Sequence, residues 1–253
     1  MIDIHSHIIY NVDDGSKSLK ESLDILTDAE SEGVTDIILT PHYINGSRYD
    51  APVSILRERL ETLKKRAQEL GINVNLYLGN EAFIEYNLKE LLEENKFTTL
   101  NGSRYLLFEF SMDNFYQGIY DLLFSFRNSG IVLIVAHPER YSFIQENPLL
   151  LNELLKHGAL LQLDVGSFFG KYGKQAKRVA NLIMKHKMAS FIATDIHHSY
   201  DNFYEQLRII YEKYLKTCSE QLLIENPRKV INNELIEKKE YSEIKKTLFK
   251  RFK

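Results

Sequence analysis

Short apolar, β-branched runs recur along the chain, with charged stretches of helical period between them. The runs at residues 2–5, 36–40, 73–78, 105–110, 131–136, 159–164 and 190–194 are continuous rather than alternating, as expected of strands covered on both faces of a parallel sheet. Helix signals fill the gaps. Ser18 followed by Glu21 is a capping box, and the helix it opens is stopped by Gly33. Residues 52–70 place Leu56, Leu60, Leu63, Ala67 and Leu70 on one stripe ended by Gly71. Asn147-Pro148 starts a helix that closes at Gly158, and residues 114–129, 173–187 and 200–216 read as three more. Strand and helix alternate about seven times with no linker and no repeat, which predicts a single-domain α/β fold, a distorted (β/α)7 TIM-like barrel.

The end of the chain breaks this rhythm. Residues 237–253 hold seven Lys/Arg against three Glu, and Tyr241, Ile244, Leu248 and Phe252 fall on one helical stripe. The domain organisation read from this is a barrel over 1–236 and a basic amphipathic tail over 237–253. Such a tail can lie weakly on an anionic membrane surface or dock to a protein partner. Packing against the barrel with its lysines in water is the alternative.

Composition narrows the class. The chain has 253 residues, 44% hydrophobic and 26% charged, the balance of a soluble globular protein with a sizeable core. A net charge of −3 gives no whole-molecule attraction to nucleic acid, so no nucleic-acid partner is expected. The aliphatic run 131–136 is too short to span a bilayer. Asp3 and His5 interrupt any basic-then-apolar leader, which sets the expectation of a cytoplasmic protein. The single cysteine, Cys218, excludes an intramolecular disulfide and a cysteine-rich zinc or iron–sulfur site. Ile224 stands six positions after it, where the thiolate loop of a cysteine phosphatase would be closed by arginine. Cys218 is therefore read as a buried core residue.

Chemistry must come from elsewhere, and the histidines supply it. Six of eight sit at or just beyond predicted strand ends: His5, His7, His42, His137, His197 and His198. Asp14, Glu81, Glu109 and Asp195 share those positions. In a barrel all strand C-termini open on one face, so these side chains converge. A lone histidine is more often a packed structural residue than a ligand; the joint pattern decides for ligands. Imidazole and carboxylate without thiolate suit Mn, Zn or Fe. Nine candidate ligands exceed what one ion can use with positions left open, so two or three ions are expected, bridged by carboxylates. His157 and His186 lie at helix C-terminal ends, where a cation is favoured, and stay outside the set. So does His198, because His197 fits the Asp-x-His spacing better. Arg140, three residues past His137, offers bidentate donors to a phosphoryl group, with a surface pair to Glu139 or Glu146 as the alternative. Arg48 is a second cation of this kind.

The motifs His5-Ser-His7, Asp13-Asp14-Gly15, Thr40-Pro41-His42, Gly79-Asn-Glu81, Phe108-Glu109-Phe110, Ala136-His137-Pro-Glu-Arg140 and Thr194-Asp195-Ile-His197, in this order, resemble the PHP (polymerase and histidinol phosphatase) superfamily. Within it the chain is similar to bacterial tyrosine-protein phosphatases of the CpsB/YwqE type, over residues 1 to about 230, including Glu225-Asn-Pro-Arg228. The resemblance implies a distorted (β/α)7 barrel with a trinuclear, usually manganese-type centre. Carried over by position, His5, His7, Glu81 and Asp195 would hold one ion, and Glu81, Glu109 and His137 a second, with Glu81 bridging. Asp14, His42 and His197 would hold the third. The implied reaction is dephosphorylation of a phosphotyrosine tail on a cognate bacterial tyrosine kinase that governs capsule or exopolysaccharide synthesis. A PHP phosphatase of a small substrate such as histidinol phosphate is the alternative. The pattern of relatives often includes a second arginine shortly after Asp-x-His, whereas this chain reads His198-Ser-Tyr200-Asp201-Asn202; Arg48 or Lys171 would have to stand in.

Overall fold

The computed structural model describes residues 1–214, 218–237 and 240–246. Nine strands are present among them: β1 (Ile2–Asp3), β2 (Asp36–Leu39), β3 (His42–Tyr43), β4 (Asn75–Leu78), β5 (Glu81–Phe83), β6 (Tyr105–Glu109), β7 (Val132–Ala136), β8 (Leu160–Asp164) and β9 (Phe191–Ala193). All pairings are parallel, in the orders β1-β2-β4 and β3-β5-β6-β7-β8-β9. Each predicted run contains a strand. The two strands not foreseen, β3 and β5, continue β2 and β4 past breaks at Thr40-Pro41 and Gly79-Asn80. Pro41 has no N–H to donate to a ladder, and a Cβ on Gly79 would lie 2.7 Å from Leu100 Cδ2.

Counting each broken strand once leaves seven strand positions, and main-chain bonds also link the last to the first. Ser6 pairs in parallel with Ile196. His7 N donates to Ile196 O at 2.8 Å and Asp195 N to His5 O at 2.9 Å, while between the first and second positions Thr40 N donates to Ser6 O at 2.8 Å. The result is a parallel-sheet α/β fold of the TIM-like barrel type.

Alternate strand residues face opposite ways. One set (Ile2, Ile4, Ile38, Tyr105, Leu107, Ile134, Ala136, Phe191, Ala193) packs together as an inner core, and the other (Ile37, Leu39, Leu106, Phe108, Leu133, Val135, Leu161, Leu163, Ile192) packs under the helices. Three strands show the same progression on the inner set: Tyr105-Leu107-Glu109, Leu160-Gln162-Asp164 and Phe191-Ala193-Asp195. Each is apolar low in the barrel and polar at its C-terminal mouth.

The helices are α1 (Leu19–Ser31), α2 (Val53–Glu69), α3 (Leu88–Glu93), α4 (Ile119–Asn128), α5 (Ser142–Glu146), α6 (Leu150–Lys156), α7 (Val165–Phe169), α8 (Gly173–Lys185), α9 (Phe203–Tyr214) and α10 (Asn226–Ile231). Ser18 Oγ caps α1 by accepting from Glu21 N at 3.1 Å, while the Glu21 carboxylate reaches Lys17 N, one residue earlier than a capping box requires. Gly33, at φ +81°, ends the turn. On α2 the predicted stripe is buried except for Leu70, which caps the helix and is 61% exposed. α3, α5, α7 and α10 were not foreseen, since five or six residues are too few to reveal a 3.6-residue period. No helix among the described residues is long and apolar enough to cross a membrane.

Two expectations are corrected. Cys218 is partly exposed at the edge of the outer core rather than buried. Residues 240–246 are not helical: their main chain is held by side chains of the barrel. Asn152 donates to Ile244 O at 2.9 Å and accepts from Ile244 N at 3.0 Å, and His186 Nδ1 bonds Ser242 O at 2.8 Å. These bonds take the place of helical ones. Ile244 is buried and Tyr241 packs beside it. The rest of the proposed stripe, Leu248 and Phe252, lies outside the described residues.

Candidate metal centre

The C-terminal mouth gathers all nine sequence-predicted ligands. His5, His7, Glu81 and Asp195 form one buried set. His5 Nε2 lies 3.2 Å from His7 Nε2, 3.1 Å from Asp195 Oδ1 and 3.2 Å from Glu81 Oε2. His7, Asp14, His42 and His197 form a second set, in which the His7 and His197 rings stack at 4.1 Å and His42 Nε2 is 3.4 Å from Asp14 Oδ1. His42, Glu81 and Glu109 form a third, with His42 Nδ1 3.1 Å from Glu81 Oε2 and 3.2 Å from Glu109 Oε1. His137 Nε2 meets the other oxygen of Glu81 at 2.9 Å. His42 rather than His137 therefore stands within reach of both glutamates, and His7, His42 and Glu81 are each shared between sets.

Hydrogen bonds on the far side of three rings fix what the near side offers. His5 Nδ1 bonds Gln162 Oε1 at 2.9 Å, and Gln162 is held in that sense because its Nε2 donates to Leu163 O. His7 Nδ1 donates to Asp13 Oδ2 at 2.7 Å. His197 Nδ1 donates to Asp195 O at 2.8 Å. Each Nε2 is thereby turned into the cluster, where it can offer a lone pair to an ion. Lone pairs and carboxylate oxygens at these distances repel unless positive charge lies among them. Asp14 Oδ1, Glu81 Oε2 and Asp195 Oδ1 are buried with no hydrogen-bond partner among the described residues. Burial alone would pull the His5 imidazolium down, yet Glu81 and Asp195 hold it well above the usual histidine range. Burial would likewise raise Asp195, but His5 and His197 hold it well below the usual carboxylate range. The cluster demands cations, and nitrogen and oxygen donors without sulfur fit Mn, Zn or Fe.

Backbone geometry shows how closely the mouth is specified. His137 and Asp195 have φ of +33° and +51°, sparsely populated for L-residues and costing about 1–3 kcal/mol each. Gly15 lies so close under His7 that an added Cβ would sit 2.1 Å from His7 O. Asp13, named in the sequence motif without a role, is the residue that orients His7, and its Oδ2 also accepts from His42 N at 3.0 Å. Burial pushes the Asp13 carboxyl up, but His7 holds it down at about 2. Gln162 carried no sequence signal, because its partner His5 is 157 residues away.

Arg140 pairs with neither Glu139 nor Glu146. Its Nη1 donates to Asp195 Oδ2 and, at 3.3 Å, to Asp164 Oδ2. Glu139 is buried instead, accepting from Asp164 N and Ser167 Oγ at 2.8 Å each, and burial next to Asp164 lifts its carboxyl to about 8. Arg48 lies over the Tyr49 ring at 4.7 Å, and that ring is 5.6 Å from His42. Lys171 is paired with Asp201 at 2.7 Å. His198 is paired with Glu21 at 3.3 Å, outside the ligand sets. His157 and His186 cap α6 and α8 at their C-termini, as their positions predicted.

Residues 1–232 match the family described as capsular polysaccharide synthesis, CpsB/CapC. The Staphylococcus aureus protein CapC is 34% identical over 240 residues, 94% of each chain. The tyrosine-protein phosphatase CpsB of Streptococcus pneumoniae is 33% identical over 244 residues, covering 93% of this chain and 100% of that one. A solved chain from the crystal structures of Bacillus subtilis YwqE and S. pneumoniae CpsB, described as unique metal-dependent tyrosine phosphatases, superposes with a TM-score of 0.89 at 30% identity, covering 97% of this chain and 100% of that chain. The histidinol phosphate phosphatase of Lactococcus lactis shares the fold, with a TM-score of 0.55 at 16% identity over 84% of this chain and 94% of that chain. On the strength of the family match and of full-length relatives at this identity, the chain belongs to the CpsB/CapC family.

Proposed function

We propose that this protein is a metal-dependent protein-tyrosine phosphatase that acts in the cytoplasm on the phosphotyrosine tail of a cognate bacterial tyrosine kinase, and so regulates capsule or exopolysaccharide synthesis. The observation that carries the reading is the overlap of three nitrogen–oxygen ligand sets at one barrel mouth with a guanidinium beside them. The names of the relatives support the substrate class.

His5, His7, Glu81 and Asp195 would hold one ion, Asp14, His42 and His197 a second, and Glu81 and Glu109 a third together with His42 or His137. Such ions, most readily Mn with Fe or Zn as substitutes, neutralise a phosphate dianion and lower the pKa of water towards about 7. The chain's own residues do the rest. Gln162, Asp13 and the Asp195 carbonyl keep the imidazoles turned inward. Arg140 uses only Nη1 for its two hydrogen bonds to carboxylates, leaving the rest of its fork for phosphoryl oxygens, with a charge that is not lost at any working pH. Arg48 is the second cation we assign to substrate contact. No thiolate is called on, and a phenolate leaves without strong acid assistance, so His42 contributes to catalysis as a ligand.

The test is a panel of phosphotyrosine peptide, phosphoserine peptide and histidinol phosphate, each assayed after chelation and after add-back of Mn, Zn or Fe. The phosphotyrosine peptide should be the best substrate and activity should vanish with the metal. Preference for histidinol phosphate, or turnover that survives chelation, would overturn the reading.

A further inference from the structure

Between α7 and α8 the chain reads Gly170-Lys171-Tyr172-Gly173, and both glycines are left-handed, with φ of +86° and +89°. Gly173 N donates to Gly170 O at 3.0 Å and Lys171 N to Gly166 O at 3.1 Å. A tight turn of this kind fixes the two residues it carries. Tyr172 is the one that meets the site: the Arg140 guanidinium carbon lies 4.2 Å from its ring centroid. The Asp164 carboxyl beside it accepts from Arg140 on one oxygen and from Gly166 N, at 2.7 Å, on the other. Lys171 points its charge to Asp201 and stands 3.9 Å over Phe203, so its cation is engaged on the far side of the turn.

Arg140 is thus bounded on a face by an aromatic ring and on an edge by two carboxylates. An unrestrained arginine has a large rotamer entropy, and a guanidinium that swings freely is a poor clamp. We propose that Tyr172 is a positioning residue for Arg140: its ring fixes the guanidinium plane, so the remaining N–H donors meet a phosphoryl group without reorganisation. This rests on the reading of Arg140 as the phosphate-facing cation.

The experiment is a double-mutant cycle read as kcat/KM on a phosphotyrosine peptide, with bound metal measured in every variant. Tyr172→Leu should lower kcat/KM about tenfold in the native background and less than about twofold when Arg140→Ala is already present. Tyr172→Phe, which keeps the ring, should stay within about threefold of the native enzyme. Metal content should be the same throughout. Equal losses from Tyr172→Leu in both backgrounds would overturn the proposal while leaving Arg140 in its role, and so would a Tyr172→Leu loss that tracks metal loss. An Arg140→Ala variant with undiminished kcat/KM, or one that sheds its metal, would instead sink the reading of Arg140 itself, and the proposal with it.

Discussion

His7 shows how much one side chain can be asked to do. It belongs to two ligand sets, it is pressed from below by Gly15, and its orientation is set by Asp13. Asp13→Asn keeps an oxygen for the His7 Nδ1–H but removes the charge that favours it, so metal affinity should fall about 10–100-fold. Metal retained after dialysis against graded chelator measures this, and unchanged retention would count against the orienting role. At this scale the sequence was most informative about the inner ring of donors, since histidines and acids at strand ends announce themselves. It was silent about partners such as Gln162, whose role depends on a neighbour distant in sequence. Nor did it announce the left-handed backbone at His137 and Asp195, which only the surrounding fold can impose.

Among the elements, long periodic helices and continuous apolar strands were legible, and short pieces were not. β3 and β5 have two and three residues and exist because β2 and β4 break and resume, which no local pattern reveals. Alternation within a strand was readable in principle: Tyr105-Leu107-Glu109 places the acid on the same side as the inner core. Over residues 240–246 the helical expectation failed because Asn152 and His186 supply main-chain partners there. Asn152→Ala would leave Ile244 N and O unpaired, and should cost about 1–3 kcal/mol in urea unfolding. kcat/KM on peptide should be unchanged, since α6 contributes to none of the ligand sets; unaltered stability would show that the bonds to residues 240–246 add nothing to the fold.

For the molecule as a whole, the ligand sets place buried acids and imidazoles together in the barrel mouth, an arrangement that bound cations would stabilise further. Stripping metal should therefore lower Tm. At a free ion concentration about 1,000 times Kd the lost stabilisation is about 4 kcal/mol. Thermal unfolding before chelation, after chelation and after add-back tests this, and an unmoved Tm would mean that ions contribute nothing to folding. The pairing of Ser6 with Ile196 has a consequence in time. Ribosomal synthesis delivers His5 and His7 long before Asp195 and His197, and contacts of such long sequence separation form slowly. A growing chain therefore has no complete site with which to capture a transition metal. On the proposed reading, loading would wait for the last strand to meet the first, and the choice of ion would fall to whichever metal the compartment offers a folded protein.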